Sequence, residues 1–395
     1  MFKSSDPQNF FETDADQAKR ERRAAKADNK YGNPIILKSK ILAVTPDPRS
    51  PSSTIYVAES AGSIRKVNLD DNDTKAVYRG PTAPLTCVAI GGQDSKTVFA
   101  GSWDKAVWSW DSETRAPGRK FIGHSDFVKA VTCTRIGGKD ILISGGADKK
   151  IIVWDIGTGA RLHTLQDSAV NMLAMQDLAV DPVQSDTNEI FLVSASSDPH
   201  IRRWRISLES WEQLEEVNPD TPDADRRTIL EHETSVYKLV FDHDGEEVDL
   251  WTSSGDGTAK CLSRIKGFTA EESFNHGDHV RAVAVTERWV ITAGRDEDLK
   301  FWDRSSGKLH CSLEGHYDEI TDIAIVKGSP ERLVSVSIDG TIRTWPLAAA
   351  SLDALVQEQK DAAIIGVGIE QDGKADDLLT ADEEAELAAL MDDDD

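Results

Sequence analysis

The sequence predicts an all-β ring of seven four-stranded blades, a β-propeller with short helical or disordered extensions at both ends. Three observations predict it. One turn-and-strand unit recurs along most of the chain, its spacing matches the length of a blade, and each copy sets β-branched strands about a turn of small residues.

Each unit runs small residues, then Asp, then an alternating apolar strand that reaches a large residue six positions after the Asp. Residues 144–148 lead in this way to Trp154, 292–296 to Trp302, and 335–339 to Trp345. The same plan takes 100–104 to Trp110, 194–198 to Trp204, and 252–256 to Leu262. Residues 57–67 read as a seventh, degenerate copy with Ala61 and Val67 at the Asp and Trp positions. The turn positions 61, 104, 148, 198, 256, 296 and 339 are then 43, 44, 50, 58, 40 and 43 residues apart, and four of the six steps fit the period of about 40–45 residues expected of a blade.

The elements follow in order. Residues 1–32 form a charged arm, helical or disordered; its stretch 17–27 has no apolar stripe and reads either as solvated or as docking a partner. Residues 33–346 form the ring, and residues 34–37 supply the strand that closes its last blade, since an open ring leaves free strand edges. The long fourth step contains a polar, Pro-bearing insertion at 209–225, an outer strand with a protruding loop. After Trp345, residues 347–366 read as helix, so the missing strand must come from the N-terminal side. Residues 367–395 form an acidic tail, in which Thr380 and Glu383 open a short helix through Leu387, Leu390 and Met391. The tail reads equally as a docking motif and as a solubilising end.

Gly123-His124 ahead of Trp154-Asp155, and Gly315-His316 ahead of Trp345, make the chain resemble the WD40-repeat family over about residues 33–346. The resemblance implies a chain of hydrogen bonds within a blade joining His, Ser or Thr, Trp and Asp. It carries over to His124, Ser144, Asp148 and Trp154, and to His316, Ser335, Asp339 and Trp345. Buried indole N–H and carboxylate groups need such partners. Blade five has Leu262 for Trp, blade seven has Trp345-Pro346, and blade one lacks both Asp and Trp; packing alone is expected to stabilise these three.

The resemblance also implies a non-catalytic platform, with the residue before each turn Asp on the narrow face near the central channel. Those positions hold Ser60, Trp103, Ala147, Ser197, Gly255, Arg295 and Ile338. Trp103 and Arg295 stand out as interface anchors, although an exposed Trp can also pack on its own blade. Phe127, Lys129, Tyr237, His279, Arg281 and Glu319 open the innermost strands beside them, and the partner-binding surface is expected among these residues.

Charge and motif content narrow the function. The net charge is −24, of which about −10 falls in residues 371–395 and about −12 in 33–346. Such acidity disfavours direct nucleic-acid binding and favours protein partners with basic surfaces. Cys87, Cys133, Cys261 and Cys311 lack CxxC spacing, so neither a zinc site nor a disulfide framework is expected. No catalytic, metal or cofactor motif occurs: Gly366-Val-Gly368 lacks a third glycine, and the acidic runs 70–73 and 242–245 lack a distal Glu at calcium-loop spacing. Residues 1–11 do not form a signal peptide and no 18-residue apolar run occurs, so the cytosol or nucleus is expected, with no membrane partner.

The leading expectation is a scaffold or adaptor subunit, a monomeric propeller within a larger eukaryotic hetero-complex. The alternatives are an acidic escort of a basic client, such as a ribosomal protein or histone in ribosome biogenesis, and a ubiquitin-ligase substrate receptor. Against the last, Trp302-Asp303-Arg304 places its Arg one position early for the W-D-x-R pattern of such receptors.

Overall fold

Short β-branched runs separated by tight turns pair with their sequence neighbours, apart from the strand that closes the ring, and seven four-stranded antiparallel sheets result. The computed structural model describes residues 14–167, 170–216, 228–242 and 248–375. Two compact units divide the chain, Met1–Leu347 and Ala348–Asp395. The first is a seven-bladed β-propeller. Its blades one to six span residues 41–78, 85–122, 128–165, 175–213, 236–275 and 280–313. Blade seven takes three strands from 320–346 and its fourth from Ile35–Ile36, which pairs antiparallel with Thr341–Pro346.

Packing between blades is apolar. Phe99, Val107 and Phe121 of blade two meet Val128, Leu142, Ile152 and Trp154 of blade three in one buried cluster. Ile35, Leu37 and Ile342 join Ile41, Val57 and Val67 in another, which seals blade seven against blade one.

Two features recur in the blades. The turn Asp accepts the N–H two residues on, as Asp104 does from Ala106, Asp198 from His200, Asp256 from Thr258 and Asp339 from Thr341. This Asx geometry is why Asp stands there. The innermost strand of each blade also carries a β-bulge near its start, between Val128 and Ala130 in blade three and between Val280 and Ala282 in blade six. A bulge leaves one residue unpaired and re-aims its side chain. Lys129 and Arg281 are two of the residues so displaced, and both line the central cavity.

The N-terminal helix α1 (Asp14–Ala27) rests on the ring through two of its cations, while Gln17, Arg20, Glu21, Ala24 and Ala27 stay exposed. Arg23 pairs with Asp318, and Lys26 lies 3.3 Å from Glu314, 3.8 Å from Glu297 and 3.9 Å from Asp298. A helix without an apolar stripe can still dock when its seat is acidic. The C-terminal helix α2 (Ala349–Ala375) runs nine residues beyond the expected end at 366. The outer strand of the insertion is Trp211–Gln213, whereas its loop at 217–227 and the tail helix from Thr380 lie outside the described residues.

Candidate interaction surface at the channel mouth

Hydrogen-bond chains run within the blades. In blade three, His124 Nδ1 lies 2.9 Å from Asp148 Oδ1, His124 Nε2 lies 2.9 Å from Ser144 Oγ, and Trp154 Nε1 donates to the same Oγ at 2.9 Å. A neutral His124 with its proton on Nδ1 satisfies every partner: it donates to Asp148 and accepts from Ser144, which accepts from the indole. Blade seven repeats the chain through His316, Asp339, Ser335 and Trp345 at 2.7–2.9 Å. Burial lowers the His316 pKa, with the Asp339 bond opposing, so its neutral form is favoured.

Sequence reasoning missed two further chains. His232, Asp256 and Thr252 are joined at 2.8 Å in blade five, and His276, Asp296, Thr292 and Trp302 at 2.8–2.9 Å in blade six. Neither His follows a Gly, which hid them. Their separation from the turn Asp, 24 and 20 residues against 24 in blade three, is the signal that finds them.

The expectation that packing alone stabilises blades five, seven and one is therefore corrected. Blade five loses only the Trp link, and blade seven loses none because Pro346 replaces a residue outside the chain. Blade one has polar bonds of another kind: Arg65 Nε donates to Glu59 at 2.8 Å and the Tyr78 hydroxyl donates to the Ser112 carbonyl at 2.7 Å. In blade four a fully buried Arg202 takes the histidine's place, bonding Asp167 at 2.7 Å and Asp198 at 3.0 Å, while Trp204 still donates to Ser194.

The mouth of the channel is built on this frame. In each blade the residue before the turn position donates its backbone N–H to a carbonyl just ahead of the innermost strand. Trp103 bonds Pro84, Ala147 bonds Phe127, Arg295 bonds His279 and Ile338 bonds Glu319 in this way. Ser60, Ser197 and Gly255 bond Lys40, Ala174 and Ser235. These seven residues thus sit beside the starts of the inner strands.

Trp103 packs on the neighbouring blade. Its ring stacks on Phe127 with centroids 4.9 Å apart and planes 13° apart, yet the two residues remain 45% and 38% exposed. Across the channel, the Arg281 guanidinium lies 4.4 Å over the Tyr237 ring and bonds Glu319, and His279 lies 6.5 Å from Tyr237. Trp103, Phe127, Lys129, Tyr237 and Arg281 all line one cavity of about 540 Å³. His279, the exposed Arg295 and Glu319 are not part of its wall.

Deeper in the channel lies a cluster that sequence reasoning did not single out. Lys238 is 3.0 Å from Asp322, and the Asp322 and Asp177 carboxylates accept N–H groups of Val44 and Leu239 from the adjacent blades. Burial disfavours the charged Lys238, but Asp322 and Asp177 outweigh it and raise the pKa. Such residues betray nothing at sequence level, because only ring closure brings blades four, five and seven together.

His124, Ser144 and Asp148 share the connectivity of a hydrolytic triad, but Ser144 is fully buried and its oxygen is held by the Trp154 indole. It cannot reach a substrate. Among the described residues no group of His, Cys, Asp and Glu is arranged to hold a metal, and no helix is long and apolar enough to cross a membrane.

Comparison with known proteins agrees with this architecture. A family model for the WD domain, G-beta repeat, matches residues 72–111, 115–155 and 307–346. A WD repeat-containing protein of Schizosaccharomyces pombe is 30% identical over 400 residues, covering 99% of this chain and all of its own length. A nuclear distribution protein PAC1 of Arthroderma otae is 27% identical over 70% of this chain, which spans about half (52%) of that protein's length. A p21-activated protein kinase-interacting protein 1-like of Gallus gallus is 23% identical over 68% of this chain and 65% of its own length. WD-repeat propellers generally serve as scaffolds for protein interaction and are typically non-catalytic, and this chain belongs to the WD-repeat family.

Proposed function

We propose that this chain is a non-catalytic scaffold or adaptor subunit of a larger eukaryotic assembly and that it docks partners across its channel mouth. The observation that carries this reading is the exposed Trp103–Phe127 stack bridging blades two and three. Large aromatic groups left half open on a rigid frame are characteristic interface anchors. The name of the Gallus gallus relative describes binding to a protein kinase, a use of the same kind.

Affinity purification of wild type and of Trp103→Ala, Phe127→Ala and Arg295→Ala variants from the native cells tests the reading. Loss of a fixed partner set is expected, and retention of every partner by all three variants refutes it. The acidic escort is a second reading, supported by the charge of about −10 in residues 371–395. It requires clients that leave at high salt and when the chain is cut at Gly366.

A further inference from the structure

We propose that the channel mouth seats a carboxylate side chain of a partner peptide on the Lys129 ammonium, with apolar residues of that peptide lying on the Trp103–Phe127 ledge. This deepens the scaffold reading and rests on it.

Lys129 is the bulge residue of blade three and is turned into the cavity wall. Among the described residues, no carboxylate, carbonyl or hydroxyl bonds its ammonium. Burial first, and the neighbouring Arg281 second, lower its pKa. A charge held at such a cost gains from an anion.

The other cations of the cavity are already matched. Lys238 has Asp322 at 3.0 Å, and Arg281 bonds Glu319 while stacking on Tyr237. One unmatched cation calls for one carboxylate rather than a polyphosphate, which needs several. The apolar ledge next to it calls for hydrocarbon in the same ligand. An Asp or Glu flanked by aromatic or aliphatic residues meets both demands, whereas a basic segment would face Lys129 and Arg281.

The test is selection of a phage-displayed library of short random peptides on the full chain. Enriched sequences are then remade as labelled synthetic peptides and titrated by fluorescence anisotropy. Enriched peptides should share an acidic residue beside an apolar one. Glu→Gln in the peptide, or Lys129→Met in the protein, should each weaken binding by roughly 10- to 100-fold, and together by no more than either alone. Lys129→Glu should prefer peptides in which Lys replaces that Glu. Lys129→Met keeps the aliphatic stem, and near-UV circular dichroism checks that the fold is retained.

Enrichment of basic peptides, no enrichment, or acidic peptides indifferent to Lys129→Met each overturn the proposal. Binding that is lost in Trp103→Ala but unchanged in Lys129→Met overturns the carboxylate seat alone and leaves the mouth as a docking surface. Binding indifferent to both variants removes the mouth as well.

Discussion

Replacing one buried hydroxyl by a methyl in two blades should have unequal cost, because the hydroxyls serve different numbers of partners. Thr292 and Thr252 are both fully buried at the same position of adjacent blades. Thr292 Oγ1 lies 2.8 Å from His276 Nδ1 and accepts Trp302 Nε1 at 2.9 Å, whereas Thr252 Oγ1 has His232 Nε2 at 2.8 Å and no indole. Thr→Val conserves shape, so the change orphans two buried polar groups in blade six and one in blade five. Each orphan costs about 1–3 kcal/mol, giving about 4 kcal/mol for Thr292→Val and about 2 kcal/mol for Thr252→Val. Urea unfolding with unchanged m values reads the difference directly. Thr→Ser at either site keeps the hydroxyl and should cost only the lost methyl, about 1 kcal/mol. Equal losses, or a larger loss for Thr252→Val, would show that the hydrogen-bond chains are incidental to packing.

Arg202→Met in blade four leaves Asp167 and Asp198 without their shared buried cation and should cost about 3–5 kcal/mol, measured by the same unfolding curves. Burial, followed by the Asp296 and Glu314 charges, overcomes Lys26 and raises Asp298 to about 6. An acid whose folded pKa is raised binds its proton more tightly when folded, so this group makes stability rise as pH falls from about 6 to about 4. Asp298→Asn should abolish that rise in melting curves recorded across the window. Asp296 behaves oppositely: its burial is outweighed by the His276 bond, which holds the carboxyl near 2. Its contribution is present above the unfolded value near 4 and is lost as pH falls through about 2, so Asp296→Asn should reduce the acid sensitivity of unfolding in that range.

What the sequence revealed and what it hid follow from chain distance. The Asp-to-Trp spacing lies within one hairpin, so six turns and their strands could be read directly, and Ala61 could be placed by period alone. The His of each chain sits 20–24 residues from the turn Asp, across another hairpin. His124 and His316 announce themselves through a preceding Gly, and His232 and His276 do not. Trp103, Phe127, Lys129, Tyr237 and Arg281 were legible as positions near the mouth. The stacking of Trp103 on the next blade, and the absence among the described residues of a hydrogen-bond partner for the Lys129 ammonium, arise between blades and leave no periodic trace. The docking of α1 was hidden for a related reason: Arg23 and Lys26 look like any other charges of the arm until Glu297, Asp298, Glu314 and Asp318 are gathered beside them.

Closure of the ring then has a physical explanation beyond strand addition. The closing strand pairs through only two residues, Ile35 with Ile342 and Ile36 with Thr341, and a two-residue ladder is weak by itself. Its neighbours extend the join: Leu37 N–H bonds the Gly340 carbonyl and Thr344 N–H bonds the Gly32 carbonyl, each at 2.8 Å. Gly32 has φ of +69°, and a Cβ there would lie 2.9 Å from the Trp345 ring, so the chain can pass over the blade-seven indole only with glycine at this point. Arg343, buried to 1% exposure, bonds the Asn29 side chain at 2.7 Å and the Tyr31 carbonyl. A guanidinium sealed in blade seven therefore depends on segments far upstream, and α1 continues the same connection to Asp318 at the rim. The bulge at Arg281 and the Glu319 it bonds belong to blades six and seven, next to that seam. A channel mouth of fixed geometry requires a seam that does not open, and in this chain residues 23–37 hold it shut with charge and backbone bonds where the strand alone is too short.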